Sequence, residues 1–180
     1  RSLQLDELMS RMQIREDIDQ LISMLQRRYS YLHLKEHRAL EQLEAYKTEL
    51  PAGITVQEFG ISLQKVTNQF GDGHSRFDGL KLAQMGLLPF KTAHFEGKVV
   101  CHKEGALLHE DFPYLHSINE VPVAKLLDVV QEGMIPNGSP QYVATFRAFS
   151  LSYIGFAMHQ LNISEKELTV VLMNEEGQTL

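Results

Sequence analysis

The stretch Phe70-Gly71-Asp72-Gly73-His74-Ser75-Arg76-Phe77 holds the residues of this chain best suited to proton transfer. Two glycines flank an aspartate and lead straight into a histidine, so the backbone is free to turn sharply and carry the imidazole to a domain edge, where it can project into a cleft. An imidazole titrates at about pH 6.5 when unperturbed, which suits a base that accepts a proton near neutrality. A well-held base of this kind contributes roughly 100-fold to 10,000-fold in rate. Asp72 and Ser75 lie close enough in sequence to hydrogen-bond the His74 ring and fix its tautomer, as the third member of a catalytic triad does. The same three residues also suit a local capping or turn network, because Asp and Ser side chains readily bond nearby backbone.

A second pattern competes with the first. His33-Leu34-Lys35-Glu36-His37 spells H-x-x-E-H, in which two histidines one helical turn apart hold zinc and the glutamate acts as base in one group of metallopeptidases. That chemistry needs a third ligand from a separate helix, and no downstream glutamate is marked out for the task. In a chain with 8 histidines, three fixed positions can match by accident, and beside Tyr29, Tyr31 and Leu32 the bland reading is a solvated helix start. His94, His102, His109, His116 and His159 show no ligand spacing, and Gly133 and Gly138 form no phosphate-binding loop. No metal or other cofactor is expected.

The elements that must position His74 follow from periodicity. Ile14, Ile18, Leu21, Ile22, Leu25 and Tyr29 recur at spacings of three and four, predicting a helix from about Ser10 to Arg28. Leu40, Leu43 and Leu50 mark a second helix, ended by Pro51 and Gly53. A third starts at Thr55, which has the spacing of a capping box with Glu58, and buries Phe59, Leu63, Val66 and Phe70. Three amphipathic helices on short connections imply a small bundle over residues 1–72.

From Gly71 onward turn-forming residues dominate, and the chain becomes mixed over 73–180. Residues 87–92, 98–102, 114–118 and 168–173 read as strands, with turns at Glu96-Gly97, Asn119-Glu120 and Glu175-Glu176-Gly177. A short helix is expected over 123–130. Ser139 caps another, with Val143, Phe146, Ile154 and Met158 on its apolar face. The fold class is therefore α+β: a three-helix bundle followed by a mixed β-rich module.

Composition narrows the function classes. With 180 residues, 43% hydrophobic and 22% charged, the chain can bury a true core. The net charge of -6 argues against a nucleic-acid partner, whose phosphates need Lys and Arg. A single cysteine, Cys101, excludes an internal disulfide and reads as a small core residue. No apolar run reaches the roughly 20 residues of a membrane span. The opening Arg1-Ser2 and the closing Gly177-Gln178-Thr179-Leu180, which reads as a strand just beginning, suggest that both ends are cut.

Phe-Gly-Asp-Gly-His-Ser after three helices, then a Leu-Pro-Phe strand, then Tyr-Leu-His-Ser-Ile-Asn-Glu-Val-Pro-Val, together resemble the amino-terminal half of the tricorn and C-terminal-processing family of serine peptidases. The resemblance in layout covers nearly the whole chain. It implies that His74 matches the general base of tricorn-like members, which serves a serine arriving much later in an α/β domain; the C-terminal-processing branch generally uses a lysine instead. Tricorn itself has a serine just before that histidine, where this chain has Gly73, so the orienting role would fall to Asp72 or Ser75. Residues Ser117 to Val123 resemble the strand, turn and strand of a PDZ-like module, where Ile-Asn-Gly followed by an apolar residue and Val is usual and Glu120 here replaces the glycine, and no Gly-Leu-Gly-Phe-like loop occurs.

The resemblance thus implies a peptide or protein substrate and a peptidase whose nucleophile lies outside these residues. No serine here stands in a Gly-x-Ser-x-Gly context, so the segment alone is expected to be inert. The alternative is a non-catalytic peptide-binding or scaffolding module. Family members are both cytoplasmic and exported, which leaves the compartment open.

Overall fold

Ser10 and Thr55 each open a helix by the same device. The computed structural model of the chain describes residues 4–29, 38–70, 77, 79–164 and 167–180. Ser10 Oγ accepts the Gln13 N–H at 3.3 Å while Gln13 Oε1 accepts the Ser10 N–H at 2.8 Å. Thr55 and Glu58 repeat the exchange at 3.1 and 2.7 Å, so two otherwise orphaned donors are satisfied at each helix start. The helices that result are α1 (Arg11–Arg28), α2 (Arg38–Glu49) and α3 (Val56–Asn68).

These helices belong to the first of two compact units, Arg1–Leu80 and Lys81–Leu180. Its core is built from Ile14, Ile18 and Ile22 of α1, Ala39 and Leu43 of α2, and Phe59, Leu63 and Val66 of α3, closed by Met9 and Phe70. α2 stops before Pro51, and its terminal carbonyls are taken up by α1: Arg11 Nη1 donates to the Thr48 carbonyl at 3.1 Å and also to the Leu50 carbonyl. Positive charge at a helix carboxyl end is favourable there. Lys47 pairs with Asp19 across the same interface at 2.5 Å. The segment before α1 runs against the α2–α3 connection, with Met9 N–H bonded to the Ile54 carbonyl at 2.9 Å and Gly53 N–H to the Met9 carbonyl at 2.8 Å.

The second unit is a sheet with helices. Its strands are β1 (Lys91–Phe95), β2 (Lys98–Lys103), β3 (Ala106–Leu107), β4 (Tyr114–Ile118), β5 (Val121–Pro122) and β6 (Val170–Met173), and all their pairings are antiparallel. The order is β1-β2-β4-β5, with β3 on β2 and β6 on β4. Three hairpins close through two residues at positive φ: Glu96-Gly97 (47° and 81°), Glu104-Gly105 (54° and 87°) and Asn119-Glu120 (48° and 63°). Two left-handed residues match the strand twist, and glycine favours them. Only the third of these hairpins lacks one.

Helix α4 (Val123–Met134) buries Leu126, Leu127 and Val130, and α5 (Pro140–Ser150) packs beside β1. The single helix expected after Ser139 is two, α5 (Pro140–Ser150) and α6 (Ile154–Gln160). The break lets α6 meet the 3₁₀ turn Leu82–Met85 backbone to backbone, where Gly155 N–H bonds the Gly86 carbonyl at 3.1 Å. Of the expected apolar face Ile154 and Met158 are buried, joined by Ala148, Leu151, Phe156 and Ala157, while Val143 is half-buried and Phe146 is 45% exposed. The first strand begins later than its apolar run because Leu88 N–H is engaged by the Ser152 carbonyl at 2.9 Å. The chain is α+β: helical first, then β-rich.

Candidate functional site around the carboxyl end of α3

α3 carries a polar cluster that its apolar stripe does not announce. Gln64, Thr67 and Asn68 lie three and four residues apart, so they share one face of the helix, and all three are buried. Gln64 Nε2 donates to Asn68 Oδ1 at 2.7 Å and to Thr67 Oγ1 at 3.2 Å. The Thr67 hydroxyl in turn donates to the Gln64 carbonyl at 3.0 Å. Both amide hydrogens of Gln64 are thus committed, which fixes which end of the carboxamide is oxygen.

Among the described residues that oxygen has a partner outside the helix. Gln64 Oε1 accepts the backbone N–H of Phe77 at 2.7 Å. Phe77 packs against the same core that Phe70 closes, and the Phe70 ring lies 5.2 Å from that of Tyr29. One turn back along α3, a β-carbon at Gly60 would lie 2.6 Å from Cδ2 of Leu80. The absence of a side chain there makes the room in which Leu80 sits. Gly60 and Gln64 are four residues apart on one face, so the chain after the candidate motif is seated on α3 at two successive turns.

His74, Asp72 and Ser75 themselves lie outside the described residues, between the two anchored aromatics, and so do His33, Glu36 and His37 of the H-x-x-E-H pattern. The remaining histidines fall in the second unit. His94 is on β1, His102 on β2, His116 on β4 and His159 on α6. His109 has a local role: its Nδ1 accepts the Phe112 N–H at 3.2 Å and its ring meets that of Phe112 edge-on at 5.3 Å. Among the described residues no three His, Cys, Asp or Glu side chains gather in a way that could hold a metal ion. Cys101 is fully buried in β2, and burial pushes its thiol up to about 12, far from the range of a reactive thiolate.

No protein-family model, curated protein or solved structure matches the chain.

Among the described residues of the second unit is a charged cluster. Lys98 Nζ pairs with Glu175 Oε2, the Tyr114 hydroxyl donates to Glu175 Oε1, and the ammonium sits 4.3 Å from the centre of the Tyr114 ring. Hydrogen bonds from Lys98 and then Tyr114 hold the Glu175 carboxyl below its usual range, while the bond to Glu175 raises both the lysine and the phenol. The cluster links β2, β4 and the turn after β6, which is a structural task. The residues sequence reasoning passed over are Gln64, Thr67 and Asn68. Their signal is three polar side chains at helical spacing immediately before the glycine-rich motif, on a helix otherwise read by its apolar stripe.

Proposed function

We propose that this chain is the front part of a serine-type peptidase of the tricorn and C-terminal-processing kind, cleaving peptide bonds through an acyl-enzyme. His74 is the general base that takes the proton from a serine supplied by a further domain, and Asp72 or Ser75 orients its ring. The reading is supported by the order of three motifs: Phe70 to Ser75, the Leu-Pro-Phe stretch and Tyr114 to Val123. One structural observation carries it. Phe70 lies in the bundle core and Phe77 packs against it, and the sequence places the histidine among the six residues between them. A base must be held to be effective.

The test uses the natural protein with its downstream sequence and a serine-reactive phosphonate probe. Labelling is expected in that protein and is expected to be lost in His74→Ala. Labelling that persists in the variant removes His74 from the mechanism, and no labelling of the parent removes the peptidase reading.

A second reading, a non-catalytic peptide-binding module of PDZ-like kind, is favoured by the edge of the sheet. Among the described strands β1 pairs with β2 alone. Beside it Phe149 of α5 is 55% exposed, as is Phe95 at the strand's end. An extended peptide can add to such an edge. On that reading Asp72, His74 and Ser75 cap a turn, and amide shifts along residues 91–95 on titration with peptides ending in an apolar carboxyl-terminal residue would favour it. Unshifted amides at saturating peptide would exclude it.

A further inference from the structure

We infer that the outer face of α5 is a docking surface for an acidic amphipathic helix of a partner protein. The distribution of charge along the chain is the first observation. None of the 23 acidic residues falls in 81–95 or 133–164, while the same stretches carry Lys81, Lys91 and Arg147. The fold brings these two stretches together. The Leu88 N–H bonds the Ser152 carbonyl at 2.9 Å, the Gly155 N–H bonds the Gly86 carbonyl at 3.1 Å, and the Thr92 hydroxyl donates to the Ala148 carbonyl at 2.7 Å. A chain of net charge -6 thus assembles one region with no carboxylate side chain of its own, bordered in sequence by Glu96 and Glu132.

Within that region α5 turns its aromatics outward. Tyr142, Phe146 and Phe149 stand four and three residues apart and so share one face, whereas Ala148 and Leu151 are buried. Phe146 is 45% and Phe149 55% exposed, and the centre of the Tyr142 ring lies 4.4 Å from that of Phe146. A β-carbon at Gly138 would stand 2.8 Å from Tyr142 Cδ1, so a glycine there leaves room for the first ring of the stripe. Arg147, next to Phe146 in the helix, donates to Gln131 Oε1 at 3.4 Å. Aromatic residues and arginine, with lysine and both acids missing from the helix, are the composition of an interface core. Apolar anchors at this spacing are how one helix lies against another.

Charge decides the occupant. Arg147 and, on β1, Lys91 find opposite charge in an acidic partner. A second copy would set one acid-free face against another and bring like charges together. A bilayer is the poorer match, because surfaces that hold anionic lipid gather about four to eight Lys or Arg. The inference goes beyond both readings above, since it needs neither a nucleophile nor pairing at the edge of β1.

The test is fluorescence anisotropy on the 180-residue chain with labelled synthetic peptides of about 18 residues, long enough to hold a helix. They carry Leu, Met or Phe at i, i+4, i+7 and i+11, with Glu on the flanks. A matched set has Lys for Glu, and a third has its apolar residues scrambled. At about 0.1 M salt, an acidic peptide is expected to bind at least about tenfold more tightly than its Lys counterpart, and the scrambled peptides are expected not to bind. Phe146→Gln and Phe149→Gln are each expected to weaken the acidic peptide about tenfold, and Arg147→Glu to abolish the preference for Glu. Should these variants lose their fold, the paired peptide sets, which need no variant, decide the matter. Amide shifts are expected along 140–150; shifts confined to 91–95 would give the peptide to the edge of β1 and overturn the inference. So would equal affinity for the Glu and Lys sets, or no acidic peptide bound at about 1 mM. Pelleting with phosphatidylserine vesicles that depends on Phe146 would replace the partner helix by a membrane, and a peptide-free dimer lost in Phe149→Gln would replace it by a second copy. Phosphonate labelling of the longer natural protein bears on the peptidase reading alone.

Discussion

Glu120 stands at φ 63°, a conformation that disfavours any residue with a β-carbon, and its neighbour Asn119 stands at 48°. The two are not equivalent. Asn119 exchanges backbone and side-chain bonds with the residue just before β6: its N–H donates to the Thr169 carbonyl at 2.9 Å and its Oδ1 accepts the Thr169 N–H at 2.7 Å. No such bond holds Glu120 in place among those described. Glu120→Gly is therefore expected to stabilise the second unit by about 0.5–1 kcal/mol, seen as a rise in the thermal midpoint. Asn119→Ala is expected to destabilise it by roughly 2 kcal/mol, with faster amide exchange along β6. The same sign for both would discredit this account of the turn. At Cys101, a thiol that burial keeps protonated should resist an aromatic disulfide reagent at pH 8 in the folded chain. One equivalent should appear on unfolding, and rapid native reaction would contradict the burial.

The elements meet with little slack. A β-carbon at Gly155 would lie 2.0 Å from the Met85 carbonyl oxygen and 2.6 Å from the Gly86 nitrogen. Backbone cannot swing aside as a side chain can. Gly155→Ala is accordingly expected to cost about 3 kcal/mol, the upper end for overpacking, and to lower the midpoint by more than about 10 °C; an unchanged midpoint would mean that α6 and the 3₁₀ turn do not touch. The Lys98–Tyr114–Glu175 cluster gives the sheet a dependence on pH. Glu175 is held below its ordinary value of 4.5 in the folded chain, so the unfolded chain binds the proton first as pH falls. Its contribution is full above that value and is lost as pH drops through the lower folded one. Lys98 is raised above 10.5, so its share is full below that value and fades as pH climbs past it. Glu175→Gln should flatten the acid side of a stability-versus-pH curve, and a curve identical to the parent's would show that the cluster contributes nothing.

Taken as a whole, the molecule was legible wherever one rule acted alone. Helix α1 follows from isoleucine spacing, α3 from a capping box, and the hairpins at Glu96-Gly97 and Asn119-Glu120 from their turn residues. Legibility failed where a distant partner decides. The break between α5 and α6 depends on Gly155 meeting Gly86, and the late start of β1 on Leu88 bonding to Ser152, neither of which leaves a periodic mark. Of the candidate site, the histidine motif could be read directly, but Gln64 could not, because its partner is 13 residues away and is a backbone amide. Among the described residues no helix is long and apolar enough to cross a membrane. With a net charge of -6, duplex DNA at physiological salt should leave the protein's fluorescence anisotropy unchanged, and binding there would overturn the reading of the charge. The bonds that join Met9 to Gly53 and Ile54 have a last consequence, in time rather than in space. During synthesis, at about 5–20 residues per second, residue 53 follows residue 9 by roughly 2–9 s. Over that interval the isoleucines of α1 have emerged without the partners that shelter them, and a chaperone that recognises apolar helices would meet them first.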